Sequence, residues 1–79
     1  MAAPQTSEIE VDARGHRCPV PTLRLRRSMQ DQPAGTFFRL LADDPLARID
    51  VPHFAGQVGL ELLDTAVSGE TISFLLRMP

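Results

Sequence analysis

Hydrophobic and polar positions alternate or cluster along the chain in a pattern that predicts four strands. Residues 8–12 alternate polar and apolar side chains, which is typical of a half-buried strand. The mostly apolar run 36–42 has the length of an inner strand, so we expect it to be buried on both faces. Residues 60–67 and 71–77 predict two more strands, joined by a tight turn around Gly69.

The first predicted helix lies between the first two strands and ends before a turn that contains proline and glycine. Pro19 and Pro21 fall in its first turn, where proline is tolerated because the first backbone N–H groups have no partner within the helix. The helical period places Pro21, Leu25, Ser28 and Met29 on one side, which we expect to face the core.

The second predicted helix is short. An Asp-Asp pair before Pro45 is a typical helix start, but Pro52 should break the helix that this pair opens. We therefore expect only a turn at 45–49, followed by a helix over 51–58 that Gly59 closes.

The order of elements, β-α-β-α-β-β, predicts an α/β (α+β) two-layer sandwich. In it, a four-stranded mixed sheet carries both helices on one face. A chain of 79 residues is long enough for one domain and too short for two. We expect a flexible N-terminus at residues 1–7, which are small, polar and proline-containing, followed by a single domain at 8–79. An active site in so small a domain must be shallow or be completed by a partner.

The composition excludes several classes of protein. The single cysteine cannot form a disulfide within the chain, which excludes a secreted disulfide framework and fits a reducing cytoplasm. All eight basic residues are arginines, so lysine Schiff-base chemistry and the phosphate-binding lysine loop are excluded. The first residues resemble no signal peptide, and no apolar run approaches the roughly 20 residues of a membrane span. We therefore expect a cytoplasmic protein with no membrane partner.

Cys18 is the main candidate for chemistry because it lies directly before the first predicted helix. The partial positive charge of a helix N-terminus favours the thiolate over the thiol. Arg14 and Arg17 add positive charge nearby, and Pro19 and Pro21 stiffen the turn. We therefore expect an exposed thiol in a rigid, electropositive environment that supports the thiolate.

The sequence narrows what this thiol can do. Pro21 stands where a Cys-x-x-Cys motif has its second cysteine, which excludes dithiol exchange within the chain. His16 and His53 lack the ligand spacing of a zinc site, so we expect no metal. A Cys–His hydrolase needs an enclosed pocket, for which the chain has little room. Covalent carriage of a group between two partners remains, although a lone cysteine is often only a small buried residue.

A mixed apolar and basic surface is expected next to the thiol. Val20, Leu23, Arg24 and Arg27 project from the side of the first helix opposite its core face. This surface is either an ordinary solvated helix face or a docking surface with apolar anchors and a basic rim. We favour docking, because a partner must reach a thiol that carries a group. We expect His16 to be a solvated loop residue.

The segment 12–21, Asp-Ala-Arg-Gly-His-Arg-Cys-Pro-Val-Pro, closely resembles the signature of the TusA/SirA-like sulfur carrier proteins. Members of that family have a Cys-Pro-x-Pro motif at the start of the first helix. The resemblance continues in the Asp-Asp-Pro segment 43–45 and the Asp-Val-Pro-His-Phe segment 50–54, and it covers about residues 8–77. It implies a βαβαββ two-layer sandwich, the same order that the hydrophobic pattern predicts.

The resemblance also implies a function. Cys18 would carry a persulfide, accepting sulfur from a cysteine desulfurase, a rhodanese or a related donor and passing it to an acceptor protein. The family serves tRNA thiolation, molybdenum cofactor assembly or oxidative sulfur metabolism. Arg26 and Asp44 match family positions associated with partner docking. The resemblance thus implies a sulfurtransferase that acts with protein partners and needs no metal or organic cofactor.

Two other functions remain open at this point. One is a non-catalytic interaction or regulatory module with the same fold, in which the thiol is dispensable. The other is a small RNA-binding domain that uses the basic helix, whose binding would weaken with salt and survive loss of Cys18. The net charge of −2 and the absence of Tyr and Trp argue against RNA, so we expect no direct nucleic-acid partner.

Overall fold

The structure, a computed structural model, describes residues 8–79 of the chain. This part contains four strands and two helices, joined by loops. The expected flexible N-terminus, residues 1–7, lies outside the described residues. The elements follow one another in this order: β1 (Glu8–Asp12), α1 (Val20–Met29), β2 (Phe37–Ala42), α2 (Ala47–Val58), β3 (Glu61–Ser68) and β4 (Thr71–Arg77).

The strands form one mixed sheet in the order β1-β2-β4-β3. β1 pairs with β2 in parallel, with Val11 opposite Leu40, and the other two pairs are antiparallel. A parallel pair needs a crossover, and α1 supplies it. The carboxyl ends of β1 and β2 therefore meet at one edge of the sheet, which brings the segment after β2 beside the loop after β1.

Both helices cover the same face of the sheet, and the core lies between the two layers. Alternate residues of the inner strands are buried, as the period of two for strands requires. α1 contributes Pro21 and Leu25 to this layer, as the sequence predicted, and α1 also packs against α2. The buried residues of the inner strands are Phe38, Leu40, Ala42, Ile72, Phe74 and Leu76.

The other face of β2 is not buried, so the expectation of a strand buried on both faces is wrong. Phe37, Arg39 and Leu41 are only half-buried there. Because both helices lie on the opposite face, only long side chains cover this one. The Arg39 guanidinium, for example, reaches across to the Glu8 carboxylate at 3.1 Å.

α2 begins at Ala47 and continues through Pro52, so the expected turn at 45–49 is wrong. Pro52 costs the helix one hydrogen bond, to the carbonyl of Arg48, and both residues are exposed. Val51 and Phe54, on either side of the proline, are buried and hold both halves of the helix against the sheet. α2 then ends at Gly59, as predicted, which has the positive φ of 81° that glycine adopts without strain. Neither helix of residues 8–79 is long and apolar enough to cross a bilayer.

Candidate functional site

The loop between β1 and α1, residues 13–19, presents Cys18 at the start of the helix. It is anchored at its first residue, where the Ala13 N–H donates to the Leu41 carbonyl at 2.8 Å. It turns at Gly15, whose φ of 84° favours glycine. Cys18 directly precedes Pro19, the residue that caps α1, and the peptide bond between them is cis. The thiol therefore lies close to the helix N-terminus, as the sequence predicted.

Two carboxylates from the segment after β2, Asp43 and Asp44, hold this loop in place, and we call the pair the acidic clamp. Asp43 accepts the Gly15 N–H at 2.9 Å. Asp44 accepts the Cys18 N–H at 2.8 Å with one oxygen and the Leu46 N–H at 3.1 Å with the other. These two N–H donors hold the pKa of Asp44 below its ordinary value. The clamp therefore fixes the Cys18 backbone and also caps the turn that leads into α2.

The Cys18 thiol is half-buried, and it donates a hydrogen bond to Oδ2 of Asp50 in the first turn of α2. Burial raises the pKa of Cys18 to about 11, with further contributions from the hydrogen bond to Asp50 and the negative charges of Asp50 and Asp44. Cys18 is therefore a neutral thiol in the free protein at neutral pH. This corrects the expectation of an environment that favours the thiolate.

The arginines expected to support the thiolate act on carboxylates instead. Arg14 forms a two-pronged hydrogen bond with Asp12, at 2.9 and 2.8 Å, which holds the pKa of Asp12 well below its usual range. Arg17 is exposed, and its charge helps to lower the pKa of Asp44. The two closest negative charges to Cys18 therefore outweigh the basic residues of its own loop.

His16 is exposed, as expected, but it has a partner. Its Nε2 accepts a hydrogen bond from the Arg24 guanidinium at 3.1 Å, because an arginine side chain can only donate. Arg24 also donates to the Asp12 carbonyl at 3.2 Å, which ties α1 to the end of β1. His53 lies exposed on the surface of α2.

The residues predicted to form the docking surface differ in how exposed their side chains are and in the contacts they make. Leu23 is 56% exposed, and Arg27 is exposed on the same helix. Val20 is half-buried. Arg26 lies over the Phe54 ring, with 5.3 Å between the guanidinium carbon and the ring centroid, so it bridges α1 and α2. Of the other two candidates, Arg24 bonds to His16 and to the Asp12 carbonyl, and Asp44 is engaged in the acidic clamp.

Sequence reasoning missed three residues at the start of α2. Asp50 contacts the thiol, while Leu46 and Ile49 are 56% and 68% exposed. All three were assigned to a turn or left without a role because Pro52 was expected to break the helix. The Asp-Val-Pro segment that carries part of the family resemblance was the available signal for Asp50.

A shallow depression of about 430 Å³ adjoins the Cys18 loop. It lies between that loop and the start of α2, and Leu46 forms part of its wall. Within residues 8–79, no three His, Cys, Asp or Glu side chains lie close enough to hold a metal ion. The residues that line the depression are Gly15, His16, Arg17, Asp43, Asp44, Pro45 and Leu46.

These features define a class of protein: a small two-layer α/β domain whose one cysteine is held at the start of its first helix. Comparison with known proteins identifies the family. A family model described as "Sulfurtransferase TusA" matches residues 9–78. The chain belongs to the TusA family, which confirms the resemblance found in the sequence.

Individual relatives agree with this assignment. The chain is 35% identical to the sulfur carrier protein TusA of Pseudomonas syringae over 72 residues, which cover 91% of this chain and 86% of that one. It is 34% identical to the protein of the same name from Allochromatium vinosum, over 86% of this chain and 90% of that one. A crystal structure of a SirA-like protein from Desulfitobacterium hafniense superposes with a TM-score of 0.77 at 22% identity, over 87% of this chain and 95% of that one. This last likeness confirms the predicted fold.

Proposed function

We propose that the chain is a sulfur carrier that holds sulfane sulfur as a persulfide on Cys18 and passes it to an acceptor protein. The observation that carries this proposal is the position of the only cysteine. Cys18 stands on a fixed loop at the start of α1, in a chain of the TusA family. Relatives of this chain are named sulfur carrier proteins.

The transfer is an exchange between a thiol and a persulfide. The Cys18 sulfur, as its thiolate, attacks the terminal sulfur of a donor persulfide, R–S–SH. A bond forms between Cys18 Sγ and that sulfur, and the S–S bond of the donor breaks. The donor sulfur leaves as a thiolate and takes up the proton that Cys18 lost, so no external oxidant or reductant is needed. Delivery repeats the exchange, with an acceptor thiol as the attacking group.

Protein partners are part of this proposal, because the site is shallow and its sulfur is half-buried. A donor that reaches the sulfur must contact the surface around it. Leu23 and Arg27 are exposed on α1, the helix that begins beside Cys18, and Leu46 and Ile49 are exposed at the start of α2. Such a surface has the apolar centre and charged rim that protein interfaces use. The donor would be a cysteine desulfurase, a rhodanese or a related protein.

We also propose that the protein acts in the cytoplasm. Cys18 must stay reduced to accept sulfur, which fits the reducing cytoplasm. The acceptor would belong to tRNA thiolation, molybdenum cofactor assembly or oxidative sulfur metabolism.

Intact-mass spectrometry tests the proposal directly. Wild type and Cys18→Ser are incubated with polysulfide, or with a persulfidated rhodanese, and then analysed. We expect wild type to gain one sulfur atom that a reductant removes, and the variant to gain none. Loaded wild type should then pass the sulfur to an acceptor thiol. If folded wild type with a free thiol takes sulfur from neither donor, the carrier function is wrong and the interaction module replaces it.

A further inference from the structure

We propose that Asp50 controls the reactivity of Cys18. Its carboxylate accepts the thiol hydrogen and keeps the sulfur in its unreactive neutral form until a partner docks. The inference rests on the proposed function of Cys18 as the sulfur-carrying residue, and it assigns a role to a residue that the carrier chemistry alone does not require.

The position of Asp50 in the fold carries this proposal. α2 begins at Ala47 and places Asp50 in its first turn, where the helix dipole favours a negative charge. The buried neighbours Val51 and Phe54 anchor that turn against the sheet. The carboxylate is thereby held on the Cys18 sulfur, although the two residues are 32 positions apart.

The hydrogen bonds of the two nearby carboxylates show which one is committed to the thiol. Asp44 accepts two backbone N–H groups and also feels the charge of Arg17. Asp50 is different, because within residues 8–79 its side chain has one hydrogen-bond donor, the Cys18 thiol. Asp50 forms no salt bridge in the same part of the chain. Its charge therefore acts mainly on the sulfur.

The other charged groups around the site do not offset this charge. From the Cys18 loop, Arg14 is paired with Asp12, and Arg17 acts on Asp44. From α1, Arg26 lies over the Phe54 ring, and from α2, His53 is exposed. Burial, the hydrogen bond to Asp50 and the two negative charges together raise the pKa of Cys18, which agrees with the geometry.

Control of this kind suits a carrier with one thiol. A neutral thiol reacts slowly with oxidants and small electrophiles, because the thiolate is the nucleophile. A donor protein that brings an arginine or lysine to the Asp50 carboxylate would offset its charge and favour the thiolate at the moment of transfer. The partner predicted by this surface therefore carries a basic side chain beside its persulfide.

The rate of Cys18 alkylation by iodoacetamide as a function of pH tests the proposal without any sulfur donor. Asp50→Asn removes the charge and should react faster at pH 8, because the thiolate fraction rises about tenfold for each unit that the pKa of Cys18 falls while it stays above the pH. Asp50→Glu keeps a carboxylate and should react more slowly than Asp50→Asn. Asp64→Asn, which removes one negative charge from β3, should match wild type. Polysulfide brings no basic side chain and should load Asp50→Asn faster than wild type.

Two results would overturn the proposal. The first is equal alkylation rates for folded Asp50→Asn, Asp64→Asn and wild type across the pH range. The second needs no variant. It is a pKa of the wild-type Cys18 thiol at or below the ordinary value for cysteine, measured by the absorbance of the thiolate as the pH is raised. Failure of the carrier function is a separate outcome, because it appears as missing sulfur uptake while the alkylation profiles still differ.

Discussion

The Asp44 carboxylate joins the backbone of Cys18 to the start of α2, accepting the Cys18 N–H at 2.8 Å and the Leu46 N–H at 3.1 Å. One side chain thus sets the position of the Cys18 loop relative to the helix that supplies Asp50. A backbone N–H with such a partner is costly to leave unpaired, so the contact constrains the loop more than a surface ion pair would.

Replacing Asp44 should therefore disturb both stability and the site. We expect Asp44→Ala to lower the urea midpoint, because the Cys18 and Leu46 N–H groups lose their acceptor. Alkylation of Cys18 should also become faster, because the loop loosens and one negative charge is lost. Urea denaturation and iodoacetamide kinetics measure the two effects. An unchanged midpoint would show that water replaces the carboxylate without cost.

Acid should weaken the same contact. The pKa of Asp44 in the folded protein lies below its ordinary value of 3.8, because two N–H groups favour the charged form. Asp44 therefore contributes stability that is present above pH 3.8 and is lost as the pH falls through the lower, folded-state pKa. Urea midpoints measured at decreasing pH should fall more steeply for wild type than for Asp44→Asn. Parallel curves for the two proteins would contradict this assignment.

Alanine substitutions of Leu23 and Leu25, two residues apart on α1, should distinguish an effect on docking from an effect on stability. Leu25 is fully buried, so Leu25→Ala should lower the free energy of unfolding by about 2–5 kcal/mol. Leu23 is 56% exposed, so Leu23→Ala should change it by less than about 0.5 kcal/mol.

Measurements of sulfur uptake should show whether Leu23 belongs to the docking surface. Leu23→Ala should load more slowly from a persulfidated rhodanese, because an anchor of the interface is lost, and at the wild-type rate from polysulfide. Mass spectrometry over time measures both rates. If both donors load Leu23→Ala at the wild-type rate, Leu23 does not belong to the docking surface.

Pro52 should reduce the stability of α2 without breaking it. Pro52→Ala restores an N–H that can donate to the Arg48 carbonyl, so we expect the free energy of unfolding to rise by about 1 kcal/mol or more. Pro45→Ala is the matched control, because Pro45 precedes the helix and the change there should give no such gain. Denaturant unfolding of the three proteins decides. A loss of stability in Pro52→Ala would mean that the ring makes contacts which outweigh the missing hydrogen bond.

Much of the fold could be predicted from the sequence because it depends on local periods. The alternation at 8–12, the apolar runs and the glycines at turns predicted the order of elements, and Pro21 and Leu25 were correctly assigned to the core. The family resemblance was recognised from the segment 12–21 together with the segments 43–45 and 50–54, and it is confirmed over residues 9–78. The predicted start of α2 was wrong. Proline usually breaks a helix, but the burial of Val51 and Phe54 keeps the helix intact through Pro52.

The electrostatics of the site could not be predicted in the same way. The sequence places Arg14 and Arg17 close to Cys18 along the chain, which suggested a positive environment. The fold instead brings Asp44 and Asp50 to the thiol, from 26 and 32 positions away. The pKa of Cys18 is raised first by burial and then by these contacts with Asp50 and Asp44. Both causes arise from the folded structure, and neither composition nor spacing contains them.

Because these contacts are long-range, the environment of the Cys18 thiol depends on whether the chain has folded. The acidic clamp and Asp50 reach Cys18 only when β2 has paired in parallel with β1 and α2 has docked on the sheet. In a chain that has not completed this assembly, Cys18 has neither contact, and its thiol has the pKa of an ordinary cysteine. With the role proposed for Asp50, completing the fold therefore lowers the rate at which electrophiles modify Cys18.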